Sequence, residues 1–159
     1  MGKIEQLDYD KTVQYFWDKL GTACIMQLAA SADDRISVRS VSCIMYSDAI
    51  VFKTDKNFDK TKQLLKNPNV AMCKYNINVE GIAENRGLVV DEPDRKFEKL
   101  YAKHLDGSYN AYSHVDTEIL IAVYPKQIEI WDCDENNYAF QILVDVEKKT
   151  AVKQWYDKT

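Results

Sequence analysis

The segment ISVRSVSCIMYSDAIVFKT, residues 36–54, carries the pattern that decides the fold. Apolar and polar side chains alternate along residues 36–45, and a second apolar run covers residues 50–54. Both runs are typical of β-strands, and the intervening Ser47-Asp48 is a turn signal. The segment therefore predicts two neighbouring strands joined as a hairpin.

The rest of the chain repeats this pattern of short strands and turns. Further strands are predicted at residues 22–30, 70–77, 79–90, 118–124, 127–131, 138–146 and 151–155. Apolar side chains at helical spacing predict helices at residues 10–20, 59–66 and 93–105. Because strands dominate and turns join most of them, the sequence predicts a mainly β protein, a β-barrel with helical decorations.

Composition limits the number of domains and the classes of partner. The chain has 159 residues, of which 46% are hydrophobic, so we expect one domain over residues 1–159. Its net charge of −4 makes nucleic acid and anionic membrane poor partners. No apolar run suggests a signal peptide or a membrane span. Four scattered cysteines without a CxxC pair are typical of buried free thiols in a reducing cytoplasm.

A basic window, KTDKNFDKTKQLLK at residues 53–66, stands out in this acidic chain. It holds five lysines and two acids, a net charge of +3. Lys60 lies in the first turn of the predicted helix, where free backbone N–H groups and the helix dipole favour a phosphate. If the hairpin forms, Arg39, Thr54 and Lys60 converge on one anion. The alternative is a solvated helix face and an arginine exposed on the barrel surface.

The chain offers no protein nucleophile of a known pattern. It has no GxSxG elbow, P-loop or GxGxxG motif. The cysteines are interpreted as core thiols, and His104 as a packing residue on its helix. The spacing of the two histidines, His104 and His114, suggests no metal site.

A series of short segments, taken in order, resembles one known family. RSV at residues 39–41 is followed by IVFKT at 50–54, Lys60, NPNV at 67–70, GIA at 81–83 and PKQIEIW at 125–131. Their order and spacing, over about residues 20–131, resemble the pyridoxamine 5′-phosphate oxidase-like FMN-binding split-barrel family. Within it the chain is most similar to small bacterial general-stress and nitroimidazole-reductase-related flavoproteins. The resemblance implies a split β-barrel homodimer with flavin mononucleotide (FMN) in two interface sites.

The resemblance also implies which residues contact the cofactor. Eight positions correspond to FMN contacts of the family: Arg39, Ser40, Val41, Lys53, Thr54, Lys60, Asn76 and Trp131. The first three line the flavin and its phosphate from one strand, and the next two contact it from the following strand. Lys60 binds the phosphate at the helix start. The last two reach the cofactor from the partner subunit.

Three departures limit the resemblance. In the oxidase Ser and Arg precede the phosphate lysine, whereas Phe58 and Asp59 stand here. An acid aimed at the phosphate costs about a few kcal/mol, unless Asp59 caps the helix with its side chain turned away. The oxidase's basic pair after the tryptophan is absent from residues 132–140, and Ile44 replaces a lysine. Pyridoxamine phosphate oxidation itself is therefore not expected.

The resemblance implies a dimeric, FMN-dependent oxidoreductase that reduces a small electrophile with electrons from a nicotinamide donor. Flavin carries the hydride itself, which agrees with the missing catalytic constellation. Two alternatives remain open at this point. One is a non-catalytic module that stores or senses FMN, haem or a deazaflavin. The other is a cofactor-free dimeric interaction protein, which Phe58 and Asp59 favour.

Overall fold

The computed structural model describes residues 2–156; position 1 and positions 157–159 of the predicted domain lie outside the described residues. The described residues form nine strands and four α-helices. The strands are β1 (Ile4–Gln6), β2 (Ala23–Ala32), β3 (Arg35–Met45), β4 (Ile50–Asp55), β5 (Asn69–Lys74), β6 (Ile77–Leu88), β7 (Glu118–Cys133), β8 (Ala139–Asp145) and β9 (Thr150–Trp155). The helices are α1 (Tyr9–Leu20), α2 (Asp59–Lys66), α3 (Lys96–His104) and α4 (Asp106–Ala111). Of the described helices, none is long and apolar enough to cross a membrane.

Six of the strands close into an antiparallel barrel. Their order is β7-β4-β3-β2-β5-β6, and β6 pairs back with β7. The far half of β7 stays paired with β6 on one edge and pairs with β8 on the other, in a sheet that continues through β9 to β1. The prediction of a mainly β split barrel with helical decorations is confirmed, and its homodimerisation stays a prediction.

The long strand β7 corrects the prediction of two strands on either side of Pro125. It runs continuously through the proline, which lies opposite Gly81, and the register shifts between Glu80 and Gly81. Proline lacks an N–H for the ladder, so a strand accommodates it where the pairing is irregular. A Cβ on Gly81 would lie 2.8 Å from the carbonyl oxygen of Tyr124, so glycine permits this close approach.

The other differences concern boundaries. The turn between β5 and β6 falls at residues 75–76, where Tyr75 takes a left-handed φ of 51°, earlier than predicted. The helix expected at residues 93–105 begins only at Lys96, because Asp94 and Arg95 have positive φ angles of 58° and 51°. The sequence did not predict β1 and α4.

Two hydrophobic clusters hold these elements together. The larger one fills the barrel and includes Phe16 of α1, which is fully buried. The smaller one joins α3 to the outer face of β4 and β7 through Phe97, Val51 and Leu120. This second cluster fixes α3 against the outer face of the barrel, next to the candidate site.

Candidate functional site

A cavity of about 290 Å³ opens between two strands of the barrel and the helices that cover them. β3, β4 and the start of α2 form one side of it, and α3, α4 and the segment before β7 form the other. Its lining residues are Ile25, Ser40, Val41, Ser42, Lys53, Thr54, Asp55, Phe58, Lys60, Tyr101, Ser108, Tyr112, Ser113 and Glu118. Five of the eight predicted contacts are therefore brought together on one cavity: Ser40, Val41, Lys53, Thr54 and Lys60.

Arg39 lies beside this cavity rather than inside it. It lines a neighbouring depression of about 390 Å³, and Lys60 lines both hollows. Burial lowers the pKa of Lys60, and the positive charge of Arg39 lowers it further. Within residues 2–156, neither side chain forms an ion pair with a carboxylate. The two cations thus border the same depression, and neither is in an ion pair within the described part of the chain.

The start of α2 differs from the expectation for Asp59. Phe58 is the N-cap residue, and it makes no side-chain cap hydrogen bond. Its carbonyl accepts hydrogen bonds from the backbone N–H groups of Thr61 and Lys62. Asp59 occupies the first turn and lines the outer depression instead of the cavity. The interpretation of Asp59 as a helix cap is wrong, but its carboxylate does not line the cavity either.

Lys53 is held by acids that the sequence did not associate with it. Its ammonium lies 2.9 Å from Glu98 Oε1 and 3.0 Å from Glu118 Oε1. Its Nζ also contacts His114 Nδ1 at 2.9 Å and lies 5.5 Å from the centre of the Tyr101 ring. The Lys53 side chain is only 6% exposed. Its charge is therefore compensated inside the protein, whereas Lys60 and Arg39, the other two cations among the predicted contacts, form no ion pair in the described chain.

Thr54 joins β4 to α2. Its buried hydroxyl lies 2.9 Å from that of Thr61, which donates to the carbonyl of Asp55 at 2.7 Å. The Asp55 carboxylate accepts hydrogen bonds from the backbone N–H of Asn57 and the hydroxyl of Thr117. These bonds, the Asn57 one first, lower the pKa of Asp55. The network fixes the turn that presents Lys60 to the cavity.

The remaining two predicted contacts do not line this cavity within one chain. The side-chain amide of Asn76 donates a hydrogen bond to the backbone carbonyl of Trp131. The indole of Trp131 stacks on Tyr156 with ring centres 5.2 Å apart, and the residue is 38% exposed. Their predicted contact with the cofactor of a partner subunit stays a prediction.

The wall formed by α3, α4 and the following segment was missed by sequence reasoning. Tyr101 lies on the buried face of α3. Its place beside Lys53 depends on a contact between segments about fifty residues apart, and no local pattern indicates such a contact. One sequence signal could have indicated this wall: Glu98 and Glu118 lie next to apolar segments, and a buried carboxylate needs a partner such as Lys53.

The other titratable groups of the described residues form no metal site. Among the described residues, no three His, Cys, Asp or Glu side chains are grouped to hold a metal ion. All four cysteines are free; Cys24 and Cys43 are buried, as expected, but Cys133 is exposed and Cys73 only half-buried. His104 is exposed, so its interpretation as a packing residue is wrong.

Comparison with known proteins places this geometry in a fold. No protein-family model matches the sequence, and no curated protein matches it either. PhzG from Burkholderia lata is 14% identical, with a TM-score of 0.61 over 95% of this chain and 96% of that chain. A pyridoxamine 5′-phosphate oxidase-related, FMN-binding protein from Nostoc punctiforme is 13% identical, with a TM-score of 0.59 over 96% and 98%. A NimC/NimA family protein from Clostridium acetobutylicum is 20% identical, with a TM-score of 0.55 over 84% and 96%. The chain therefore has the split-barrel fold of the pyridoxamine 5′-phosphate oxidase-like FMN-binding proteins, as the resemblance implied.

Proposed function

We propose that the protein binds FMN, with the phosphate held by Lys60 and Arg39 and the rest of the molecule extending into the cavity. The observation that carries this proposal is the pair of neighbouring cations without a carboxylate partner in the described chain. Burial and the positive charge of Arg39 lower the pKa of Lys60. An anion placed between the two cations stabilises both of them. Lys60 also follows the start of α2, where backbone N–H groups favour phosphate.

The remaining lining residues fit a flavin. Ser40, Ser42 and Tyr101, each with a hydroxyl group, are among the lining residues, and Ile25 and Val41 add apolar ones. Small-molecule sites combine such an apolar lining with a few polar groups that orient the ligand. The fold, shared with an FMN-binding protein, agrees with this.

We also propose a cytoplasmic location, since free thiols such as the four of this chain are typical of a reducing compartment.

A homodimer forms part of the proposal. The cavity measures about 290 Å³, just below the roughly 300–1,000 Å³ of small-molecule sites. Ile25 lines it and is 49% exposed, so its edge is open in a single chain. A second copy supplies the missing wall, with Trp131 and Asn76 as the residues that reach the flavin.

The reaction we propose is the two-electron reduction of a small electrophile, with a nicotinamide donor as the source of electrons. Bound flavin supplies the hydride chemistry. The chain's own residues bind and orient: Lys60 and Arg39 fix the phosphate, and the hydroxyls of Ser40 and Ser42 offer hydrogen bonds. Lys53 keeps the charges of Glu98 and Glu118 paired in the wall of the cavity.

The test begins with the visible spectrum of the purified protein and mass identification of any released ligand. Lys60→Glu is then compared with Lys56→Glu, an exposed lysine outside the cavity. We expect FMN affinity to fall by more than about tenfold, or about 1.4 kcal/mol, for the first variant and to stay unchanged for the second. A wild-type protein that fails to bind micromolar FMN contradicts the proposal, and so does equal affinity in both variants.

Catalysis is tested separately from binding. Steady turnover of a nicotinamide donor and an electrophilic acceptor by the flavin-loaded protein is expected. Bound flavin without turnover assigns the protein to storage or sensing. Sedimentation of the loaded protein as a monomer contradicts the dimer.

A further inference from the structure

The depression beside the flavin cavity has a strongly positive lining. It measures about 390 Å³ and lies between the outer end of β3 and the exposed side of α2. Five basic side chains line it against two acidic ones, a net charge of +3: Arg35, Arg39, Lys60, Lys62 and Lys66 against Asp33 and Asp59. The proposed flavin phosphate uses only two of the five basic groups.

Most of this charge has no partner within the described chain. Lys66 and Asp33 form an ion pair at the rim, where both side chains are largely exposed. Over residues 2–156, by contrast, no carboxylate lies within ion-pair distance of the three cations that flank Lys60, namely Arg35, Arg39 and Lys62. The depression therefore keeps a positive field that a ligand can neutralise.

The floor of the depression is preformed. Gln63 of α2 donates a hydrogen bond from Nε2 to the carbonyl of Arg35 at 2.6 Å. Its Oε1 accepts one from the hydroxyl of Ser37 at 2.5 Å. These two bonds tie α2 to β3 and hold the basic side chains of both elements around one space. A site that is built before the ligand arrives loses less affinity to ordering.

The depression is continuous with the phosphate end of the cavity, because Lys60 lines both. We infer that it binds a second phosphate attached to the first, so that the site takes a flavin dinucleotide: its FMN half in the cavity and its adenosine phosphate half along Arg35 and Lys62. This inference rests on the proposed function. A nicotinamide donor fits this place less well, since its reacting ring must stack on the flavin ring and not on its phosphate.

One acid opposes the second phosphate and gives a sensitive test. Asp59 lies in the depression among the lysines. Its replacement by asparagine removes the only acid of the depression that is not in an ion pair, while the cations stay. The affinity for a ligand with a second phosphate in the depression rises after this change. The affinity for a ligand with only the flavin phosphate in the cavity changes less.

The experiment compares FMN and flavin adenine dinucleotide (FAD) on the same apoprotein by the quenching of flavin fluorescence. We expect FAD to bind about tenfold tighter or more. Lys62→Gln lowers FAD affinity at least fivefold and changes FMN affinity less than twofold, whereas Asp59→Asn raises FAD affinity. Lys56→Gln is the matched control and changes neither.

Each outcome decides the matter. Equal affinity for the two flavins overturns the second phosphate subsite and leaves the flavin cavity in place. The same follows if Lys62→Gln weakens both ligands equally, because a general electrostatic field then explains the effect. If neither flavin binds the wild-type protein, the proposed function fails and the dinucleotide site fails with it.

Discussion

Replacing Lys53 with methionine tests the charge cluster in the wall of the cavity, which consists of Lys53, Glu98 and Glu118. The ammonium lies 2.9 and 3.0 Å from Glu98 and Glu118, and the exposed fractions of the three side chains are 6%, 12% and 11%. Methionine preserves the aliphatic stem but leaves two buried carboxylates without their cation. Breaking a buried ion pair in this way costs about 3–5 kcal/mol. We expect the lower half of that range, since Glu118 keeps a hydrogen bond from the N–H of Val115 and Glu98 keeps His114.

Urea unfolding with a constant m-value measures this loss. The matched control is Lys66→Met, which breaks the exposed ion pair with Asp33 and should cost no more than about 1 kcal/mol. Adding Glu98→Gln and Glu118→Gln to Lys53→Met should restore most of the stability, because the uncompensated charges disappear. If Lys53→Met costs no more than Lys66→Met, the cluster does not hold this wall of the cavity and the reasoning is refuted.

Further predictions follow from close contacts, titration and exposure. Gly81→Ala places a Cβ 2.8 Å from a backbone oxygen and should cost about 1–3 kcal/mol; Gly107→Ala, with open space around it, should not lower the melting temperature. Flavin affinity should fall as pH rises through the pKa of Lys60, because the anion binds the protonated amine. Burial lowers that pKa, so the fall should begin at a lower pH than for an ordinary lysine. A fall only above pH 11 in a binding titration contradicts this. Cys133 should react with a thiol reagent in the folded protein, whereas Cys43, fully buried and with its pKa raised well above the ordinary value, should react only after unfolding. A Cys133→Ser variant that keeps the fast phase contradicts this assignment.

The fold was predictable because its signals are local. The alternation before Ser47-Asp48 and the apolar run after it predicted β3 and β4 to within a residue. The pattern of α2 was also sufficient, since Asn67-Pro68 ends the helix. Pro125 predicted a strand break because proline normally ends a strand, but the glycine opposite it, Gly81, lets β7 continue. That partner lies more than forty residues away and leaves no mark near the proline.

The site was predictable in part for the same reason. Ser40, Val41, Lys53, Thr54 and Lys60 lie on adjacent elements, so a correct hairpin and helix brought them together. The opposite wall, from α3 to the start of β7, reaches the cavity only through tertiary packing of Phe97 and Tyr101. No spacing rule relates residues on α3 to a strand whose partners are set by the closure of the barrel.

Lys53 and Lys60 show why counting charges in a sequence does not locate an anion site. Both belong to the same basic window, and they are only seven residues apart. Lys53 forms ion pairs with Glu98 and Glu118, whereas Lys60 is half-buried and lies near another cation, Arg39. A lysine paired with carboxylates at 2.9 and 3.0 Å offers little attraction to an additional anion, since the negative charges beside it offset its own. Burial and the neighbouring Arg39 both lower the pKa of Lys60, and an anion placed there compensates the partly buried charge and offsets the repulsion between the two cations. We therefore propose that the phosphate binds at the edge between α2 and β3, and that the ligand's remaining negative charge follows the basic side chains outward from there.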